Sequence, residues 1–144
     1  MTTTHTRAID VEQRWLLYDA SEHTLGHMAS KIAMNLMGKD RPEYTPSELT
    51  GAYVVVINAD KVQFTGKKSD QKTYAHYTGF QGGRKVVALD RVLERRPRDV
   101  VRLAVRRMLP KTTLGRDMLR RLRIFSGTDH PHMAQKPVKV DATL

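Results

Sequence analysis

Cysteine is absent from all 144 residues, which excludes disulfides, thiolate zinc sites, iron–sulfur clusters and thiol nucleophiles together. Aromatic residues make up 6% of the chain, too few for binding by a platform of stacked rings to dominate. Long apolar runs are missing too: a stretch such as Val54 to Ile57 falls far short of the roughly 20 residues that span a bilayer. Met1 to Arg7 contains no apolar segment that could act as a secretory signal. A soluble, cytoplasmic protein is expected, and its length suits a single domain spanning 1–144. Acidic residues run short in one place only. Residues 81–144 hold six against sixteen basic ones, whereas residues 1–80 hold nine of each.

The whole formal charge of +10 therefore sits in the last part of the chain, where twelve of the sixteen basic residues are arginine. Arginine keeps its charge at any physiological pH and presents a planar fork that grips phosphate oxygens in pairs. Such crowding repels itself in the free protein unless a polyanion neutralises it. Lysine or acids would serve solubility equally well, so the bias towards arginine points to a nucleic-acid partner.

The pattern of apolar residues indicates alternating strands and helices. Trp15 to Asp19 reads as a short buried strand. Leu25, Met28, Ala29, Ile32, Ala33, Leu36 and Met37 recur at spacings of three and four, which predicts a helix begun by Thr24 and ended at Gly38. Tyr53 to Asn58 is too continuously apolar for a strand wet on one face and reads as central in a parallel sheet. Lys61 to Gly66 alternates and is expected to be a further, more exposed strand. Strand, helix, buried strand is the pattern of an α/β domain.

Between Gly66 and Gly83 the sequence interleaves cations with rings and reads either as an irregular RNA-contacting segment or as a hairpin whose tyrosines cover the core edge. Val86 to Leu93 and Arg98 to Leu109 read as helices, with Pro97 restarting the chain between them. Val100, Val101, Ala104, Val105 and Met108 form the inner stripe of the second, and Arg98, Arg102 and Arg106 share another face with Arg107 beside them. A last helix is expected over Leu114 to Leu122, with Arg116, Arg120 and Arg123 aligned outward. Like charges at that spacing weaken an isolated helix by a few tenths of a kcal/mol per pair, a cost that a bound anion would offset. From residue 127 to 144 the periodicity vanishes and an extended tail is expected, one that orders only against another surface.

Catalytic signatures are missing. His130 and His132 flank a proline without further ligands at a zinc spacing. Gly66-Lys67-Lys68 resembles the end of a phosphate-binding loop, but Lys61 stands where its first glycine is required and Lys68 replaces Ser or Thr. Asp19, Asp60 and Asp70 are compatible with turns. Two other classes stay open at this point: an α/β nucleotide-processing enzyme using Asp19 or Asp60, and another RNA- or DNA-binding module.

Several motifs occur in a telling order. They are Thr24-Leu25-Gly26, Pro42-Glu43-Tyr44-Thr45-Pro46, Val54-Val55-Val56-Ile57-Asn58-Ala59, Thr65-Gly66-Lys67-Lys68, Met108-Leu109-Pro110-Lys111 with Leu114-Gly115-Arg116, and His130-Pro131-His132 with Ala134-Gln135-Lys136-Pro137. With these the chain resembles, along nearly its whole length, the bacterial large-subunit ribosomal protein thirteen family. The resemblance implies a three-layer α/β fold, with a mostly parallel four-stranded sheet flanked by helices. It also implies a non-catalytic constituent of the large ribosomal subunit that binds rRNA and takes part in early assembly, beside neighbouring large-subunit proteins. No membrane, small-molecule substrate, cofactor or metal is implied. Ala52, Tyr77 and Gln81 depart from the residues usual in the family, and the N-terminal extension to about Val11 has no assignable role.

Combining the charge pattern with the resemblance gives three sets of expected rRNA contacts. Lys67, Lys68, Lys72, Arg84 and Lys85 are expected to meet phosphates, with Tyr74, His76 and Tyr77 against sugars and bases. Lys111, Arg116, Arg120, Arg121 and Arg123 are expected to do so from the last helix. The tail adds His130, His132, Gln135 and Lys136.

Overall fold

The computed structural model describes residues 5–140; the outermost parts of the expected N-terminal extension and C-terminal tail lie outside them. The chain begins with the expected unit. Strand β1 (Trp15–Asp19), helix α1 (Leu25–Met37) and strand β2 (Tyr53–Ile57) follow in order, and the two strands pair in parallel from Trp15 beside Tyr53 to Asp19 beside Ile57. The stripe of α1 is buried as its spacing requires: Met28, Ala29, Ile32 and Leu36 are inaccessible to solvent. Gly38 ends the helix in the left-handed region (φ 81°), which lets Lys39 N–H reach Met34 O at 3.1 Å and closes the last turn.

Beyond β2 the chain forms a 3-10 turn (Ala59–Lys61), α2 (Lys68–Gln71), β3 (Thr73–Tyr77), β4 (Arg84–Ala88), α3 (Leu89–Arg95), α4 (Pro97–Met108), α5 (Thr113–Arg120), β5 (Leu122–Ile124) and β6 (Val138–Lys139). The main sheet has the order β5-β2-β1-β6, and every pairing in it is parallel. The α/β fold with a four-stranded parallel sheet flanked by helices is therefore the one expected.

Leu16, Tyr18, Val54, Val56, Leu122 and Ile124 share one sheet face and join a single core with α1, Leu89, Val100, Val101, Val105 and Met118. Fully burying each such aliphatic side chain contributes about 1.5–3 kcal/mol. The other face bears Trp15 stacked on Tyr53, their ring centres 4.6 Å apart. The returning C-terminal segment overlies it, with His132 against Trp15 at 5.1 Å and against Phe125 at 5.9 Å.

Several expectations need correction. Lys61 to Gly66 is not a strand, because Asn58 turns the backbone into the left-handed region (φ 55°) and only Gln63 makes a bridge, to Thr24. Of the two readings of the segment between Gly66 and Gly83 the hairpin is the one found, since Thr73–Tyr77 pairs antiparallel with Arg84–Ala88. For the same reason Val86 to Leu93 is not one helix: Val86 and Val87 lie opposite Ala75 and Tyr74 in the hairpin, and the helix starts at Leu89. The last helix ends at Arg120, not Leu122, because Val54 N–H binds Arg121 O at 3.1 Å and draws the following residues into the sheet. Met108 is 42% exposed and does not belong to the inner stripe of α4. The tail, expected to order only on a foreign surface, lies on the protein's own sheet: Val138 sits beside Leu16, and Val140 N–H donates to Leu17 O at 2.9 Å.

Candidate nucleic-acid interface

Two short helices and a strand assemble the main basic surface. Pro97 occupies the first turn of α4, where its missing N–H costs nothing. Burial of Val100, Val101 and Val105 then turns Arg98, Arg102 and Arg106 outward. After Pro110 the chain reverses, and Thr112 caps α5 by accepting a hydrogen bond on its hydroxyl from Gly115 N–H at 3.3 Å. Gly115 is required for closeness, since a Cβ there would stand 1.9 Å from Pro110 O. This tight junction sets Arg116 and Arg120 across from the α4 row, and β5 brings Arg123 beside them. The result is a groove of about 700 Å³ lined by Arg102, Arg106, Arg116, Arg120 and Arg123, with Asp99 as its one carboxylate among the described residues. A second cleft extends it past Arg106 and Arg116 to Lys111.

The charges in the groove are barely neutralised from within. Arg120 pairs with Asp117 at 3.0 Å, three residues away and exposed, a contact worth at most a fraction of a kcal/mol in water. Among the described residues, the side chains of Arg102, Arg106, Arg116 and Arg123 make neither a hydrogen bond nor an ion pair within the protein. Arg121, expected in the same set, lies elsewhere. It is half-buried, donates to Gly51 O and lies 4.9 Å above the Tyr53 ring; burial lowers its pKa, opposed by Tyr53.

The hairpin forms a second basic surface. Lys67 and Lys68 stand at the start of α2, and Lys72 just past its end. His76 lies opposite Lys85, and Tyr77 opposite Arg84, all four exposed. Tyr74 alone turns towards the core, and it collects two cations: Lys72 Nζ is 5.5 Å and Arg107 Cζ 5.7 Å from its ring centre. Burial raises the Tyr74 pKa against the pull of Arg107. Burial, then Arg107 and Lys68, lower that of Lys72.

The tail residues divide. His132 is committed to the rings of Trp15 and Phe125, and His130 accepts from His132 N–H at 3.3 Å on Nδ1. Gln135 and Lys136 are exposed. Missing from the expected contact set are Arg102 and Arg106, at the centre of the groove, although their spacing of four already placed them on one face.

Asp19 has no freedom to act as a catalytic carboxylate. It accepts from Ser21 N–H at 2.9 Å, Ser21 Oγ at 2.7 Å and Asn58 Nδ2 at 3.0 Å. Burial alone would raise its pKa; the hydrogen bonds from Ser21 and Asn58, helped by Lys139, outweigh that and lower it. It ties the ends of β1 and β2 together. Among the described residues no helix is long and apolar enough to cross a membrane.

Fold and surface thus define a class: a parallel α/β protein with an arginine-rich groove and a basic hairpin. The chain belongs to the ribosomal protein L13 family, whose model matches residues 13–131. It is 50% identical over 131 residues to the large ribosomal subunit protein uL13 of Thermus thermophilus, covering 91% of this chain and 94% of that protein. The corresponding protein of Thermotoga petrophila is 48% identical over 139 residues, or 96% of this chain and 93% of its own length. That of Francisella philomiragia is 46% identical over 137 residues, 95% and 96% respectively. The family is one of ribosomal proteins and not of enzymes.

Proposed function

We propose that this protein is a cytoplasmic, non-catalytic constituent of the large ribosomal subunit that grips structured rRNA and supports early assembly. The observation that carries the reading is the groove between α4, α5 and β5, where Arg102, Arg106, Arg116 and Arg123 converge around one carboxylate, Asp99, and their side chains make no hydrogen bond or ion pair among the described residues. Guanidinium forks held on folded elements suit phosphates at the spacing of a folded strand, so recognition follows backbone shape. Lys111 and Arg120 extend this surface. Lys67, Lys68, Lys72, Arg84 and Lys85 supply further phosphate contacts from the hairpin, with Tyr74, His76 and Tyr77 beside them. His130, His132, Gln135 and Lys136 mark the tail's edge of the interface.

An early role suits a protein whose core is built from its own elements and whose Val138–Lys139 pairs with its own β1. Neighbouring large-subunit proteins are further partners, and exposed Phe80 and Val86 on the hairpin offer apolar area to them.

The double change Arg102→Ala and Arg116→Ala tests the groove. Binding to an rRNA fragment should weaken, and the log–log salt slope should flatten by roughly two, about one for each phosphate that is no longer neutralised. An unchanged slope would remove this face from the interface.

A further inference from the structure

A separate cleft of about 630 Å³ opens where the start of α1, the loop around Phe64, α2 and the end of α4 meet. Its lining is of two kinds. Leu25, Phe64 and Met108 make an apolar floor, and Lys68, Lys72 and Arg107 bring three cations to the rim. Among the described residues no carboxylate lines it. Lys72 and Arg107 both approach the Tyr74 ring although they repel each other, and among the described residues the Lys68 ammonium donates to Thr65 Oγ1 at 3.3 Å. Three like charges gathered in a walled space lower the stability of the free protein and favour an anion there. The volume lies in the range of pockets for small organic ligands, roughly 300–1,000 Å³, far more than a bare oxyanion fills. The apolar floor calls for a flat, weakly hydrated group attached to that anion. The first turn of α1 borders the cleft and adds positive potential, but the side-chain cations and the floor define the ligand.

We propose that this cleft binds one nucleotide unit, its phosphate among Lys68, Lys72 and Arg107 and its base on Leu25, Phe64 and Met108. The source is a nucleotide extruded from an RNA strand, since unstacked bases are what side chains can read in RNA. On that point alone the inference rests on the RNA-binding function proposed above. Gly26 provides the steric test. Gly26 lines the cleft and a Cβ there meets nothing within 4 Å, so Gly26→Trp adds bulk at the cleft wall without changing its charge.

The full chain, labelled with nitrogen-15, is titrated with inorganic phosphate, with AMP and with a single-stranded adenosine pentanucleotide while backbone amides are followed. AMP and the pentanucleotide should shift the amides of Gly26, Gln63 and Thr65 at concentrations at least about tenfold below those phosphate needs. A factor of ten corresponds to about 1.4 kcal/mol, the order expected of a buried base. Gly26→Trp should abolish these shifts, and Lys68→Ala with Lys72→Ala should weaken them by at least about tenfold. Gly26→Trp should lower the salt slope for the rRNA fragment by no more than about one, for the single phosphate seated in the cleft, whereas the Arg102 and Arg116 variant should lower it by roughly two and keep the AMP shifts. The two readings can therefore fail separately. Unchanged AMP binding in Gly26→Trp, or phosphate binding as well as AMP, would overturn the cleft. AMP binding without pentanucleotide binding would overturn the RNA source.

Discussion

Replacing Gly115 by alanine adds one methyl group where α5 meets the turn after α4. That carbon would stand 1.9 Å from Pro110 O and 2.9 Å from Pro110 C, both backbone atoms of a residue with restricted torsions. An ordinary contact needs well over 3 Å, so the helix start must retreat by more than an ångström. Overpacking of this kind costs about 1–3 kcal/mol. Against it stands the gain from replacing glycine in a helix, at most about 1 kcal/mol. The net expectation is a loss of roughly 1–2 kcal/mol.

Gly26→Ala is the matched control, because the same methyl group there meets nothing within 4 Å. It should leave stability unchanged or raise it by up to about 1 kcal/mol. Urea unfolding followed by the fluorescence of the single tryptophan, Trp15, and by far-ultraviolet circular dichroism measures both. The Gly115→Ala midpoint should fall while that of Gly26→Ala holds or rises, both with unchanged slopes. Because α5 carries Arg116 and Arg120, Gly115→Ala should also weaken rRNA-fragment binding while every groove arginine is still present. A Gly115→Ala protein as stable as the wild type would refute the steric reasoning.

The carboxylate of Asp19 has a lowered pKa, so its contribution to stability is present above its unfolded value and is lost as pH falls through the folded one. Asp19→Asn should therefore lower stability at neutral pH and flatten the acid limb of a stability–pH curve; a parallel, undiminished acid limb would refute the assignment. His132→Ala removes ring contacts to Trp15 and Phe125 worth about 0.5–1.5 kcal/mol. Limited proteolysis between residues 127 and 140 should then run roughly 2- to 10-fold faster, and an unchanged rate would show that the strand pairing alone holds the tail.

The elements read from local pattern are those whose burial has a period. Helix α1 buries one stripe at spacings of three and four, and β2 is covered on both faces, so neighbouring residues alone announce them. The arginine row of α4 is legible in the same way, because Val100, Val101 and Val105 fix which side faces in. The hairpin is only half legible, since the rings and cations of Thr73–Tyr77 become a strand through partners at Arg84–Ala88 that sequence spacing does not reveal. Leu122 to Ile124 continues the arginine spacing of the helix before it, and only hydrogen bonding to β2 makes it a strand.

Composition and order along the chain determined by themselves the α/β class, the central strand, the family likeness and the one-sided arginine excess. Tertiary structure decided which of those arginines meet. Arg102 and Arg106 face Arg116, Arg120 and Arg123 because Gly115 lets α5 close onto the end of α4, while Arg121, one residue from Arg120, is turned away towards Gly51 and Tyr53. It also decided that the tail lies along β1, since a parallel strand at a sheet edge needs only backbone groups and leaves little mark on the side chains that form it.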